Sequence, residues 1–487
     1  MKRTAVLNVV GLTESLIGEH TPRIREFAAS GAMTAITPAF PAVTCTAQSN
    51  YLTGTSPWQH GVVANGWFNR ELSEVQFWKQ SNHLVGGKKL WEDLREIDST
   101  FTCAKLFWWF NMYSRADYSI TPRPIYPADG RKSFDIYSWP YSIRDEIKKD
   151  LGEFPFATFW GPAAGISSPQ GSADAASRWI AESAKWIESK FSPTLNLVYL
   201  PHLDYNLQRL GPFVSPASSG GSRNRLKAEL QTAINPAIFP DLQQIDAIVG
   251  DLISFFQQRD VQVILLSEYG ITNVDTPIHL NRLFRQQGWL TIKNELGREI
   301  LDCGASKVFA VADHQVAHIY FNDRSLEKTV RHLLEHQRGI DSVLGEKEKA
   351  ELGLTHPRAG DLIAVAEENA WFTYYYWLKN SLAPDFARTV DIHRKPGYDP
   401  AELFLDPKTP AVKLKILYRL LQKKLGFRML MDVIPLDATL VKGSHGRRTT
   451  NPAEQAVFIC ERSDSSLPEP LDSTQVYAAI KRMILEG

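Results

Sequence analysis

The feature that most constrains this chain is a series of short apolar runs that each end at once in glycine or polar residues. Three are clear: Val6 to Val10, Leu195 to Leu200 and Val261 to Leu266. Runs of this length bounded by turn signals read as buried strands. Helical patterns alternate with them. Thr21-Pro22 opens one, with Ile24, Phe27 and Ala28 at helical spacing and Gly31 closing it. Ala47 to Leu52 reads as a second helix ending at Thr53-Gly54, and Ile245 to Phe256 as a third. This alternation predicts an α/β fold, a three-layer α/β/α sandwich on a mostly parallel sheet. In such a sheet ligands bind beyond the carboxyl ends of the strands.

A chain of 487 residues is long for one such layer structure. The expected division is a core over 1–274, a cap or insertion over 275–440, and a return to the core over 441–487. Residues 104–142, rich in aromatics and proline, read as an insertion within the core. One core strand is expected near 307–321. Val214 to Arg225 is Ser/Gly-rich and predicts a loop.

Composition removes several classes. There are 54 basic and 54 acidic residues, so no bulk surface for nucleic acid is evident. Four scattered cysteines without a CxxC pair indicate neither a disulfide framework nor a thiolate metal site. No apolar run reaches membrane-spanning length. The short apolar stretch after Met1-Lys2-Arg3 runs into Gly11 without a cleavage site. A soluble cytoplasmic protein without a membrane partner is expected; oligomeric state is not legible.

Four places put reactive residues just after a strand or turn. They are Thr44-Cys45-Thr46 with Leu52-Thr53-Gly54, Pro57, His60-Gly61 and Asn65; His202-Leu203-Asp204 with Gln208 and Gly211-Pro212; Glu268-Tyr269-Gly270; and Gly443-Ser444-His445-Gly446. Their order and spacing resemble the alkaline phosphatase superfamily, in particular its nucleotide pyrophosphatase/phosphodiesterase branch. The resemblance covers residue 1 to about 270 and again about 430–460. It implies that Thr44 is the nucleophile and that Asn65 holds a phosphoryl oxygen. It also implies one or two divalent ions, zinc or manganese, held by Asp204, His445, Glu268 and Thr44. The substrate would be a small phosphorylated molecule.

Three positions depart from that pattern. The aspartate expected after the first strand is Val10. The histidine expected in the aspartate loop is Gln208, and the Asp-His pair is Glu268-Tyr269. The presumed site of Thr44 and Glu268 therefore meets Val10 and Tyr269, whereas the site of Asp204 and His445 keeps more of its donors. Replacement ligands are available in His202, in His314 and His318, which a single strand would place on one face, and in Gln208 or Tyr269. Each has a plain reading as well: His314 and His318 as hydrogen-bonded strand histidines, Thr44 as a cap of the following helix. Cys45 and Thr46 are rival nucleophiles whose spacing is off. Two functions follow: a metal-dependent hydrolase of a phosphoester, phosphodiester or phosphonate, or an altered family member that binds a phosphorylated or isoprenoid-like metabolite without phosphatase chemistry.

Overall fold

The computed structural model describes residues 1–129, 132–167, 171–214, 233–461 and 467–486. The Ser/Gly-rich stretch expected as a loop lies mostly outside these residues. A nine-stranded sheet forms the centre. Its spatial order is Leu471–Asp472, Ala32–Thr37, Ala456–Cys460, Gln262–Leu266, Thr4–Val9, Leu195–Leu200, Cys103–Leu106, Tyr118–Pro122 and Ile136–Trp139. Most neighbours run parallel; Ala456–Cys460 is antiparallel to both of its own, and Ile136–Trp139 is antiparallel to Tyr118–Pro122. The three apolar runs read from the sequence are the central strands, buried along their whole length. A strand covered on both faces must be apolar throughout, which is why they read as runs.

Helices cover the sheet in two groups. Phe239–Gln257 packs on both Pro22–Ser30 and Ala175–Phe191, and Val476–Glu486 packs on both Thr44–Thr53 and Leu90–Ile97. The helix expected from Ala47 starts three residues earlier, at Thr44, with Val43 as its cap residue. It ends at Gly54, whose φ of +66° is the left-handed conformation that glycine adopts freely.

Two expectations are corrected. The aromatic stretch 104–142 is no insertion: it contributes strands Tyr118–Pro122 and Ile136–Trp139 to the sheet edge. The single core strand near 307–321 is a hairpin, Val308–Asp313 and Val316–Phe321, belonging to a separate four-stranded antiparallel sheet with Leu362–Ala366 and Ile340–Leu344. Its turn is His314-Gln315, and His314 takes φ +60°. Sequence periodicity missed the break because no glycine or proline marks it. The Trp371–Trp377 aromatics are buried in the second hydrophobic core beneath this sheet.

Candidate active site

Register aligns the strand ends. Val9 pairs with Leu200, and Asn8 with Leu266, so the loops after three central strands leave from one edge. Asp204 comes from the helix His202–Leu210 after one strand, and Glu268-Tyr269 from the loop after another. Thr44 is the first residue of its helix and faces the same edge. His445 follows a two-residue strand, Gly443–Ser444, paired with Thr272–Asn273. A Cβ at Gly443 would sit 2.1 Å from Leu207 O, so only glycine lets this loop lie on the Asp204 helix. Thr44, Asp204, Glu268 and His445 are thus brought together.

Tyr269 is the centre of the cluster. Its hydroxyl lies 3.0 Å from Thr44 Oγ1 and donates to Asp204 Oδ1 at 3.4 Å. Gln208 Nε2 donates to Asp204 Oδ2 at 2.7 Å, and Tyr398 OH donates to Gln208 Oε1 at 2.8 Å. Glu268 Oε1 accepts from Asn8 Nδ2 at 2.6 Å and from Gln48 Nε2 at 2.7 Å, while its Oε2 has no hydrogen-bond partner. Thr44 lies beside this carboxylate and lowers its pKa. Asn65 accepts from Cys45 N and donates to Asp313 Oδ1 at 3.1 Å, and its backbone N–H donates to Asp313 Oδ2.

Four rings stack in a column, Tyr269 on His445 at 3.6 Å, His445 on His314 at 3.7 Å, and His314 on Tyr398 at 3.6 Å. The Nδ1 of His445 faces the Ala42 carbonyl at 2.7 Å, and the Nδ1 of His314 faces Asp313 Oδ1 at 2.7 Å. An acceptor at Nδ1 fixes the proton there and leaves Nε2 as a lone pair. Both Nε2 atoms lack any partner. Burial holds both imidazoles well below their usual pKa, so they are neutral at pH 7.

Burial raises the carboxyls: Asp204 to about 7, Glu268 to about 8 and Asp313 to about 6. Their hydrogen-bond partners in the site are amides, hydroxyls and an imidazole, none of them a lysine or arginine. Every one of these side chains is buried.

Two expected ligands hold other partners, though His318 stays within electrostatic reach of Asp313. His202 Nε2 lies 3.3 Å from Asp241, on the side of its helix facing Phe239–Gln257, so it is no neighbour of the Asp204 carboxylate in this site. His318 accepts from the Gly360 N–H at its Nδ1 and sits in the second sheet. The hairpin turn separates it from His314, so the pair does not share one strand face. Asn8 and Gln48 were missed by sequence reasoning, and Tyr398, which ends a polar stretch from Asp391 suited to an anion contact, was not tied to Gln208. Of the first two, Asn8 alone carried a signal, a polar residue inside an apolar strand.

A model of the type I phosphodiesterase / nucleotide pyrophosphatase family matches residues 4–399. The chain belongs to that family. It is thereby a phosphodiesterase/phosphatase-type hydrolase of the alkaline phosphatase superfamily, whose members generally depend on a divalent metal. No curated protein matches the sequence. Among solved structures, phosphonoacetate hydrolase from Sinorhizobium meliloti, in complex with phosphonoformate, superposes with a TM-score of 0.58 at 13% identity, over 99% of this chain and 96% of its own. Human ectonucleotide pyrophosphatase/phosphodiesterase 5 gives 0.56 at 14% identity, over 99% and 95%. An inactive threonine-to-alanine variant of the murine protein, in complex with AMP, gives 0.53 at 13% identity, over 100% and 95%. At these identities the likeness is one of fold.

The family's two-ion clamp does not fit the residues present. Among the described residues no three His, Cys, Asp or Glu side chains converge as one metal shell. Val10, two residues after the Asn8 that holds Glu268, is buried and apolar, and Tyr269 bridges Thr44 to Asp204 where a ligand imidazole is expected. The other half differs: His445 keeps a buried Nε2 with no protein partner.

Proposed function

We propose that the chain hydrolyses a phosphoester, phosphodiester or phosphonate of a small molecule, with Thr44 as nucleophile. The observation that carries this reading is Thr44's position: first residue of its helix, hydrogen-bonded to Tyr269 and beside the free oxygen of Glu268. A helix N-terminus favours an anion, so the phosphoryl group is drawn to it. Thr44 Oγ1 attacks phosphorus as its proton passes to Glu268 Oε2, and the leaving oxygen or carbon departs with its electron pair. Water then cleaves the threonine–phosphoryl bond. Asn65, anchored by Asp313, has a second amide proton for an equatorial oxygen. The inactive threonine variant of the murine relative supports the same assignment.

Asp204 and His445 are the pair to hold one divalent ion, zinc by the preference of imidazole, with manganese the alternative. His314 Nε2 is the further donor nearest to them along the ring column. Such an ion supplies charge stabilisation for the transferred phosphoryl oxygens.

The test is Thr44→Ala. Hydrolysis of an activated phosphodiester is expected to fall at least about 10³-fold with the thermal midpoint unchanged. Parent-level activity in Thr44→Ala would move the chemistry to another group. A second reading, binding of a phosphorylated metabolite without turnover, is favoured by Asp204, both of whose oxygens are taken by protein donors. A parent protein that binds AMP but turns over no phosphoester between pH 6 and 9 would select it.

A further inference from the structure

The helix Val412–Lys424 is amphipathic in the reverse sense. None of its residues is buried. Its inward side carries Lys415 and Arg419, both paired with Asp432, beside Val412 and Ile416, which pack on Ala401, Val433 and Ile434. Its outward side is the apolar stripe Leu414, Leu417, Tyr418, Leu421 and Leu425, at i, i+3, i+4, i+7 and i+11. Leu414, Leu417 and Leu425 are 68%, 64% and 65% exposed. A globular helix turns such a stripe to the core. Phe427 and Leu430 extend the exposed apolar surface beyond the helix end.

The charge around this stripe has one sign. Residues 407–431 hold seven basic and no acidic side chains, in a chain whose net charge is zero. Among the described residues Lys413, Lys423 and Lys424 pair with no carboxylate. Phe134, exposed on the neighbouring loop, lies under both Lys132 and Lys423, at 5.7 and 5.8 Å. Ile125 and Tyr126 are exposed in the same loop.

We propose that residues 412–430 are an interfacial anchor that seats this protein on an anionic lipid surface. An apolar stripe flanked by lysines lies in a bilayer interface, with the stripe among acyl chains and the cations on headgroups. A second copy of this chain suits the face poorly, because a two-fold contact would set lysines against lysines. No helix of the described residues can cross a membrane, so the contact is with the surface. The anchor's base, Ala401, borders the segment that delivers Tyr398 to the ring column, so the seat and the site share one piece of chain.

The test is co-sedimentation of the full chain with vesicles of phosphatidylcholine alone or with about one-third phosphatidylserine. Binding to the anionic vesicles is expected, weakened by salt. Two variants, Leu417→Glu/Leu421→Glu and Lys413→Gln/Lys423→Gln/Lys424→Gln, should each lower the partition coefficient at least about tenfold. Both change exposed positions, so their thermal midpoints and hydrolysis of a soluble substrate should match the parent. Equal sedimentation with both vesicle types, or unchanged binding by the variants, would overturn the proposal. So would a dimer that Leu417→Glu/Leu421→Glu dissolves, or capture of an acidic peptide in place of vesicles.

Discussion

The two halves of the site are built on opposite principles. Around Thr44, polar groups satisfy one another: Tyr269 bridges to Asp204, and Asn8 and Gln48 hold Glu268. Around His445 and His314, the Nδ1 atoms are tied down and the Nε2 atoms are left open. One half has protein donors where the family pattern expects a second ion; the other keeps lone pairs aimed at nothing in the protein. A neutral imidazole left unpaired in a buried site is costly, about 1–3 kcal/mol. A bound cation would remove that cost.

The comparison can be broken from either side. After the loss expected for Thr44→Ala, the next largest effect is expected in the open half. His445→Ala should lower hydrolysis on the order of 10²-fold and abolish metal retention, read by activity and elemental analysis after gel filtration. An active His445→Ala protein that retains its metal would place the ion elsewhere. In the closed half, Tyr269→Phe removes the Thr44–Asp204 bridge and leaves the ring stack on His445. The expected loss is about tenfold in kcat, matching roughly 1.4 kcal/mol for one buried hydrogen bond, without change in metal content. Metal lost with Tyr269→Phe would merge the two halves into one centre.

The smallest effect is on pH. Burial holds Glu268 protonated up to about 8, and it accepts Thr44's proton only when ionised. Activity should therefore rise with pH, by less than tenfold from pH 7 to 8, and level above it. Glu268→Gln should abolish that limb. Stability runs the opposite way. The folded carboxyl keeps its proton from pH 4.5 to about 8, where the unfolded chain releases it, so folding weakens as pH rises through that window. A flat activity profile in the parent would remove Glu268 as the base.

The residues that follow the strands and turns of the core were legible in the sequence in both halves. Thr44, Asp204, Glu268 and His445 could be read because strand ends and turns are written in local residue order, and a parallel sheet gathers its strand ends at one edge. His314 could be named but not placed. Its position depends on a turn at φ +60° in a hairpin that no glycine announces, and on stacking with His445 from a distant part of the chain. Gln48 gave no signal at all, since it acts through Glu268, 220 positions away, and the partner of Tyr398 was hidden because Gln208 lies 190 positions away. The Val412–Lys424 helix was hidden for a different reason: its apolar period is that of any packed helix, and only the fold shows which side faces out.

The most direct measurement of the difference between the two halves is the metal content of the purified chain, by mass spectrometry, after equilibration with zinc and removal of weakly bound ions. The expected result is about one ion per chain, rising towards two in Val10→Asp/Tyr269→His, which restores a carboxylate and an imidazole to the Thr44 half. Two tightly held ions in the parent protein, or none, would contradict it.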